Sequence, residues 1–396
     1  MHRLTFAEAV NGYVGWHVEG GNQVVPHPDP VEAGARGIAV PGHPGAVRLR
    51  AEFLGLVRDS FDRSLPDPVG DESEEQAVRR TLRDGAFRSP GDTATYFSQL
   101  ADVLLPPELP ARLAGHDRLV IEPSPSLARV PWSALRVGPE RRMLGELIDV
   151  VVGVPASITV QARAPHDGDG SIIALDPAAP GMRPVLGPGA GDGSALGEPG
   201  LRLDADWLYD ACATAESFLF VGHVSAAGAE KASGESTTMH LTTPVSAGDL
   251  LRAGWRAPRR VGLIGCGAGT DLRHPEPFGL AMTAVSCGAE LVAASTWTLP
   301  TTAALAAFVE EYETPGAGVD VGGDSEKRMG GDLGGRNPLM EFAVAVAEAF
   351  ADSDPVRHLL DWQVERARAW DAGGHPADNP AIWASLALFL RDPAPR

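Results

Sequence analysis

The chain is short of cysteine, of positive charge and of long apolar runs, and each shortage closes off a class of protein. Three cysteines in 396 residues, Cys212, Cys266 and Cys287, lie far apart with no CxxC pair. That spacing excludes a disulfide framework and a zinc ribbon, and it fits a reducing compartment, so a cytoplasmic location is expected. Lysine and arginine together number 33 against 52 aspartates and glutamates, for a formal charge of −19. So acidic a chain offers no basic stripe for nucleic acid and no attraction for anionic lipid, and neither nucleic acid nor membrane is an expected partner. No apolar run nears the roughly 20 residues that a membrane span needs. The opening residues MHRLTF lack the long apolar core of a secretory leader.

Several motifs are missing as well. There is no GxSxG elbow and no phosphate-binding GxxxxGK[ST] loop. The glycines of Gly187-Pro188-Gly189-Ala190-Gly191 do not meet the dinucleotide-binding spacing, and the proline among them makes a poor phosphate cradle. No cofactor and no metal are therefore expected. No internal repeat is seen at solenoid period. What the chain does have is core-forming material, with 44% hydrophobic and 21% charged residues.

Up to about residue 92 the signal is weak. Prolines at 26, 28, 30, 41, 44, 66 and 68 cut the region into short pieces, with helical spacing over Leu49–Phe61 and a charged surface helix over Glu72–Arg83. Residues 1–92 read as an accessory region or an elaborated edge of the main domain. From about Thr93 strands and helices alternate. Arg118–Glu122, Asp149–Val154, Ser171–Asp176 and Glu290–Trp297 read as strands. Thr95–Leu105, Leu203–Ala215, Ala247–Ala253, Phe278–Cys287, Thr301–Tyr312, Leu339–Phe350 and Pro355–Trp370 read as helices, and Ala381–Leu390 as a buried segment. Alternation of this kind predicts an α/β domain over 93–396, a mostly parallel central sheet sandwiched by helices. Residues 314–338, rich in glycine and mixed charge, read as a flexible loop.

Two further strands carry the chemistry. Phe218-Leu219-Phe220-Val221-Gly222 ends on His223, and Val261-Gly262-Leu263-Ile264-Gly265 ends on Cys266. In a parallel sheet the carboxyl ends of the strands form the ligand crevice, so neighbouring strands of this kind bring an imidazole and a thiol to one rim. A free cysteine is usually a small core hydrophobe. The glycines after Cys266 turn backbone N–H groups toward the sulfur, a setting that favours a nucleophile. Cys212 and Cys287 fall on amphipathic helices and read as core. His240 and His274 are weaker alternates to His223. Asp271 and Asp249 are candidate carboxylates for a basic substrate side chain.

These segments resemble the CHAT family of caspase-like cysteine proteases over about Phe97–Leu390. Leu119-Val120-Ile121-Glu122-Pro123 and Val130-Pro131-Trp132-Ser133-Ala134-Leu135 resemble its opening strand and PW-x-A-L segment. Phe220–His223 and Ile264–Gly269 resemble its histidine and cysteine motifs, and Ala294-Ser295-Thr296-Trp297 and Asn379-Pro380 with Trp383-Ala384 its later ones. The chain departs from the family pattern at Val224, Ala268 and Thr301-Thr302.

The resemblance implies a caspase-like αβα sandwich and a thiol protease acting on a specific protein, in the setting of bacterial defence. A gasdermin-like or other defence effector is the implied substrate, and a regulatory protein the implied partner. His223 and Cys266 would form the catalytic dyad. Backbone N–H groups of Val224, Gly265 and Gly267 would hold the oxyanion, and Trp297 would join Asp271 and Asp249 at the substrate. The family's habit of activation by loop cleavage makes Lys327-Arg328 a candidate self-cleavage point. Two other readings share the dyad: a catalytically inactive CHAT-like binding or regulatory module, and a different thiol acyl-transfer enzyme such as a transpeptidase or deamidase.

Overall fold

The structure, a computed structural model, describes residues 2–8, 14–19, 37–39, 47–49, 63–105, 109–113, 115–187, 196–225, 237–270, 279–313 and 333–391. Eleven strands form one sheet. In chain order they are β1 (His2–Glu8), β2 (Val14–Glu19), β3 (Gly37–Ala39), β4 (Val47–Leu49), β5 (Arg118–Glu122), β6 (Asp149–Gly153), β7 (Ser171–Leu175), β8 (Ser217–Val221), β9 (Arg260–Ile264), β10 (Leu291–Ser295) and β11 (Leu386–Leu390). Their order across the sheet is β3-β4-β2-β1-β5-β6-β11-β10-β9-β8-β7.

The central strands are near-continuous apolar runs because helices flank the sheet. β6, β8 and β10 are buried at every position, a pattern that a strand with one face in water would not show. Phe218, Phe220 and Phe389 are fully buried here, each stabilising the fold by roughly 1.5–3 kcal/mol. The helix Pro338–Ala351 touches β8 and β9, Leu280–Ser286 touches β10, and Pro355–Gly373 touches β6. Caps fix where the first and last of these helices start: the side chains of Asn337 and Asp354 accept the N–H groups of Met340 and Arg357, each with proline at the first helical position.

Eight strands make up two parallel blocks. β7, β8, β9 and β10 run together, and so do β1, β5, β6 and β11. The blocks meet at the antiparallel pair β10–β11. Their carboxyl ends therefore lie on opposite edges of the sheet. The expected α/β sheet with flanking helices is present and mostly parallel, with this one reversal at its centre.

β1 pairs with β5, so the first strand belongs to the main sheet, and β2, β4 and β3 extend it by antiparallel pairing. The helix expected over Leu49–Phe61 lies, apart from Leu49 at the end of β4, outside the described residues. So does the loop over 314–332. Residues 333–337 follow in order, with Arg336 bridging Glu341 and Asp378. Among the described residues, no helix is long and apolar enough to cross a membrane.

Candidate active site

Leu175, Val221 and Ile264 stand level across β7, β8 and β9. His223 and Cys266 each lie two residues beyond that level, on adjacent parallel strands. The pairing outlasts the strands, since the Gly222 N–H donates to the Ile264 carbonyl at 3.0 Å. Gly265 then lies so close to the histidine segment that a Cβ would be 2.6 Å from Val224 Cγ2 and 2.7 Å from the Gly222 oxygen. Only glycine lets the two chains stay together where the imidazole and the thiol emerge.

The cysteine turn is fixed from behind by β10. Ser295, fully buried, donates its hydroxyl to the Gly265 carbonyl and accepts the Gly265 N–H at 3.2 Å. Gly267 takes a φ of 62°, which a side chain would strain. Its N–H donates to the Trp297 carbonyl at 3.0 Å, and the Gly269 N–H to the Ser295 carbonyl at 2.8 Å. The Thr270 hydroxyl closes the turn on the Gly267 carbonyl at 2.7 Å.

His223 is half-buried, and its Nε2 is 2.6 Å from the Arg183 carbonyl. A carbonyl can only accept, so Nε2 carries the proton and the neutral ring keeps Nδ1 as its acceptor. The His223 carbonyl in turn accepts the His240 N–H at 2.9 Å. The His240 ring hydrogen-bonds the Ser225 hydroxyl at 2.7 Å. Burial, and secondarily the proximity of the His223 ring, hold the His240 ring below its ordinary pKa.

Cys266 is half-buried, and burial pushes its thiol up to about 12. The carboxylates of Glu74 and Asp67 act in the same direction, while the Leu299 N–H and the cysteine's own amide favour the thiolate. Asp67 is itself held firmly. One oxygen accepts the Thr298 N–H at 2.8 Å and its hydroxyl at 3.0 Å, and the other meets Arg129 at 2.6 Å. At neutral pH the thiol is protonated, so attack by sulfur requires a base at that moment.

The remaining expected residues are placed as follows. Val224 opens a two-residue strand paired with Met239. The amides of Gly265 and Gly267 are engaged within the turn, as described above. Trp297 has no accessible surface and donates its indole N–H to the Ala381 carbonyl at 2.8 Å. The expectation that it faces substrate is thereby corrected: the strand end turns this ring into the core against Phe87. Asp249 caps the helix Ala247–Ala253, accepting from the Ser246 amide and hydroxyl and pairing with Arg252. Those bonds hold its carboxyl down to about 2. Asp271 and His274 lie outside the described residues. Cys212 and Cys287 are buried in the core, as their helical setting predicts.

Sequence reasoning passed over the Arg183 carbonyl, Ser295, Asp67 and Glu74. Ser295 stands within a motif already singled out, but nothing in a sequence shows that a hydroxyl braces a glycine one strand away. Among the described residues, no cluster of histidine, cysteine, aspartate or glutamate could hold a metal ion. No protein-family model matches the chain, and no curated protein matches it.

Proposed function

We propose that the chain is a caspase-like cysteine endopeptidase of the CHAT type, with His223 as base and Cys266 as nucleophile. One observation carries this reading: both residues emerge two positions beyond level partners on adjacent parallel strands, with the histidine tautomer fixed by the Arg183 carbonyl. His223 Nδ1 takes the thiol proton as sulfur attacks the scissile carbonyl. The C–N bond then breaks, the amine leaves with the proton from His223, and water clears the acyl-enzyme. The Cys266 and Val224 amides are the oxyanion donors in this reading, while those of Gly265 and Gly267 hold the turn. The family setting makes a defence-related protein the natural substrate.

With a thiol pKa near 12 the resting thiolate fraction at pH 7 is on the order of one in 10⁵, so the dyad works by general-base attack rather than through a standing ion pair. The same observation favours a second reading, a binding module in which the thiol stays neutral. Purified protein is incubated with a labelled unfolded protein and a mixed peptide library, and products are identified by mass spectrometry. Cleavage by the native chain that is absent from Cys266→Ala and His223→Ala supports the protease. Cleavage retained by Cys266→Ala overturns it, and a native chain that cleaves nothing favours the binding module.

A further inference from the structure

A cavity of about 450 Å³ opens beside His223, at the carboxyl ends of β7 and β8. Its wall includes Asp176, Met182, Arg183, Arg202 and His223. Most described arginines of this acidic protein are paired; Arg129, Arg336, Arg357 and Arg366, for example, all meet carboxylates. Arg183 and Arg202, like Arg63, Arg83 and Arg256, are not. Both are exposed, and among the described residues neither guanidinium has a hydrogen-bond or ion-pair partner. An unpaired guanidinium presents a planar fork of donors suited to a carboxylate.

The cavity is built rather than incidental. Asp176 takes a left-handed φ of 42°, one of only two such non-glycine residues among those described. Strain of this kind persists only where surrounding bonds enforce it. Here the Asp176 amide donates to the Val221 carbonyl at 2.7 Å, and its carboxylate accepts the Leu186 N–H at 3.0 Å. That buried carboxylate is a single negative charge, and the two exposed guanidiniums at the mouth outnumber it, so the wall stays net positive. The Ala178 N–H donates to the Leu201 carbonyl at 2.9 Å, and the Gly200 N–H to the Asp176 carbonyl at 2.9 Å, which ties the two wall segments together. Four large hydrophobic side chains are exposed among the described residues, and two of them, Met182 and Leu201, lie on these segments.

We propose that this cavity is a substrate subsite that takes an acidic side chain next to the scissile bond, its carboxylate held by Arg183 and Arg202 and an apolar neighbour resting against Met182 and Leu201. The assignment rests on the protease reading for the meaning of "scissile". Because His223 lines the cavity, its occupant lies within about one residue of the reacting carbonyl. The volume exceeds one aspartate or glutamate, which leaves room for the neighbouring residue. This replaces the basic side chain expected from Asp249 and Asp271: Asp249 is committed to its helix cap, and Asp271 lies outside the described residues.

The test separates binding from cleavage. Four pools of labelled, C-terminally amidated peptides, each fixed at one position as acidic, basic, aliphatic or amide, are titrated by fluorescence anisotropy against full-length Cys266→Ala. Amidation leaves the side chain as the source of the carboxylate. The acidic pool is expected to bind at least 10-fold more tightly than the aliphatic pool. That margin should vanish in Cys266→Ala carrying Arg183→Ala and Arg202→Ala, and turn toward the basic pool with Arg202→Glu. Both arginines are exposed, so an unchanged thermal melt confirms that these variants fold. An acidic pool that binds no better than the aliphatic one overturns the proposal, as does a preference that survives removal of both arginines. Acid-selective binding without any cleavage by the native chain upholds the subsite and defeats the protease reading. Cleavage by the native chain without acid preference does the reverse.

Discussion

The two sides of the crevice differ in character. On the cysteine side the amides of Gly265, Gly267 and Gly269 are used internally, Ser295 and Trp297 hold the turn from behind, and the charges near the thiol are the carboxylates of Glu74 and Asp67. On the histidine side a cavity lies open, and the guanidiniums of Arg183 and Arg202 at its mouth have no partner among the described residues. The difference teaches that rigidity and recognition are divided between neighbouring strands. On the proposed protease reading, the nucleophile is held still by its turn, and selectivity falls to the strand end beside the cavity.

The sharpest way to break this comparison is to remove either reacting group. Cys266→Ala and His223→Ala should each lower kcat/KM by about 10³-fold or more, read as product formed from a quenched peptide. Equal losses would show that the two sides act as one unit, whereas a small loss for His223→Ala would deny it the role of base.

Next come the contacts that join the sides. Gly265→Ala forces a methyl against Val224 and the Gly222 carbonyl, and should destabilise the protein by roughly 1–3 kcal/mol in urea unfolding. Activity should fall further than stability, because the methyl separates imidazole from thiol. Ser295→Ala leaves the buried Gly265 amide and carbonyl without their hydroxyl partner, at a cost of about 1–3 kcal/mol. Unchanged stability in Ser295→Ala would mean that the turn is held by its other bonds alone.

The thiols give a pH-dependent readout. Burial raises Cys212 and Cys266 to about 12 and Cys287 to about 11 in the folded state, above the usual thiol value. A raised folded pKa contributes stability that is complete below the unfolded value near 9 and is lost as pH rises through the window from 9 to 12. The urea midpoint should therefore fall between pH 8 and 10.5, and Cys266→Ala should show a shallower fall. Iodoacetamide should alkylate Cys266 slowly at pH 7 and faster only well above the range of a free thiol. Rapid alkylation at pH 7 would contradict a buried neutral sulfur. The smallest effect belongs to Asp249→Ala, which removes the N3 half of the capping box that Ser246 heads, costs at most about 1 kcal/mol and should leave peptide preference unaltered.

Much of the sheet was readable because its strands are buried on both faces. Arg118–Glu122 and the runs ending at His223 and Cys266 are short, apolar and bounded by glycine or proline, which helices of that length rarely are. The helix Ala247–Ala253 could be placed to the residue, its ends marked by Ser246 and Gly254. The strands before residue 50 were not readable, since three of them take only three to six residues from a proline-punctuated stretch. For the site, the neighbouring strand ends that carry His223 and Cys266 could be read, but their surroundings could not. Trp297 looked like a rim residue until the core claimed its ring, and Arg183 sat unnoticed in a loop whose glycines and prolines hide its meaning.

The reversal at the middle of the sheet bears on the order in which the molecule can assemble. β11 alone joins the two parallel blocks, pairing with β6 on one side and β10 on the other. A chain that has made β1 through β10 but not residues 386–390 holds two half-sheets, each with an unpaired inner edge. The strands bearing His223 and Cys266 are then part of an incomplete sheet, and the Cys266 turn lacks Phe389, which approaches Gly269 at about the distance of a packed side chain. Contacts so distant in sequence form late. Closure of the sheet around the strands that carry His223 and Cys266 thus depends on the last described strand.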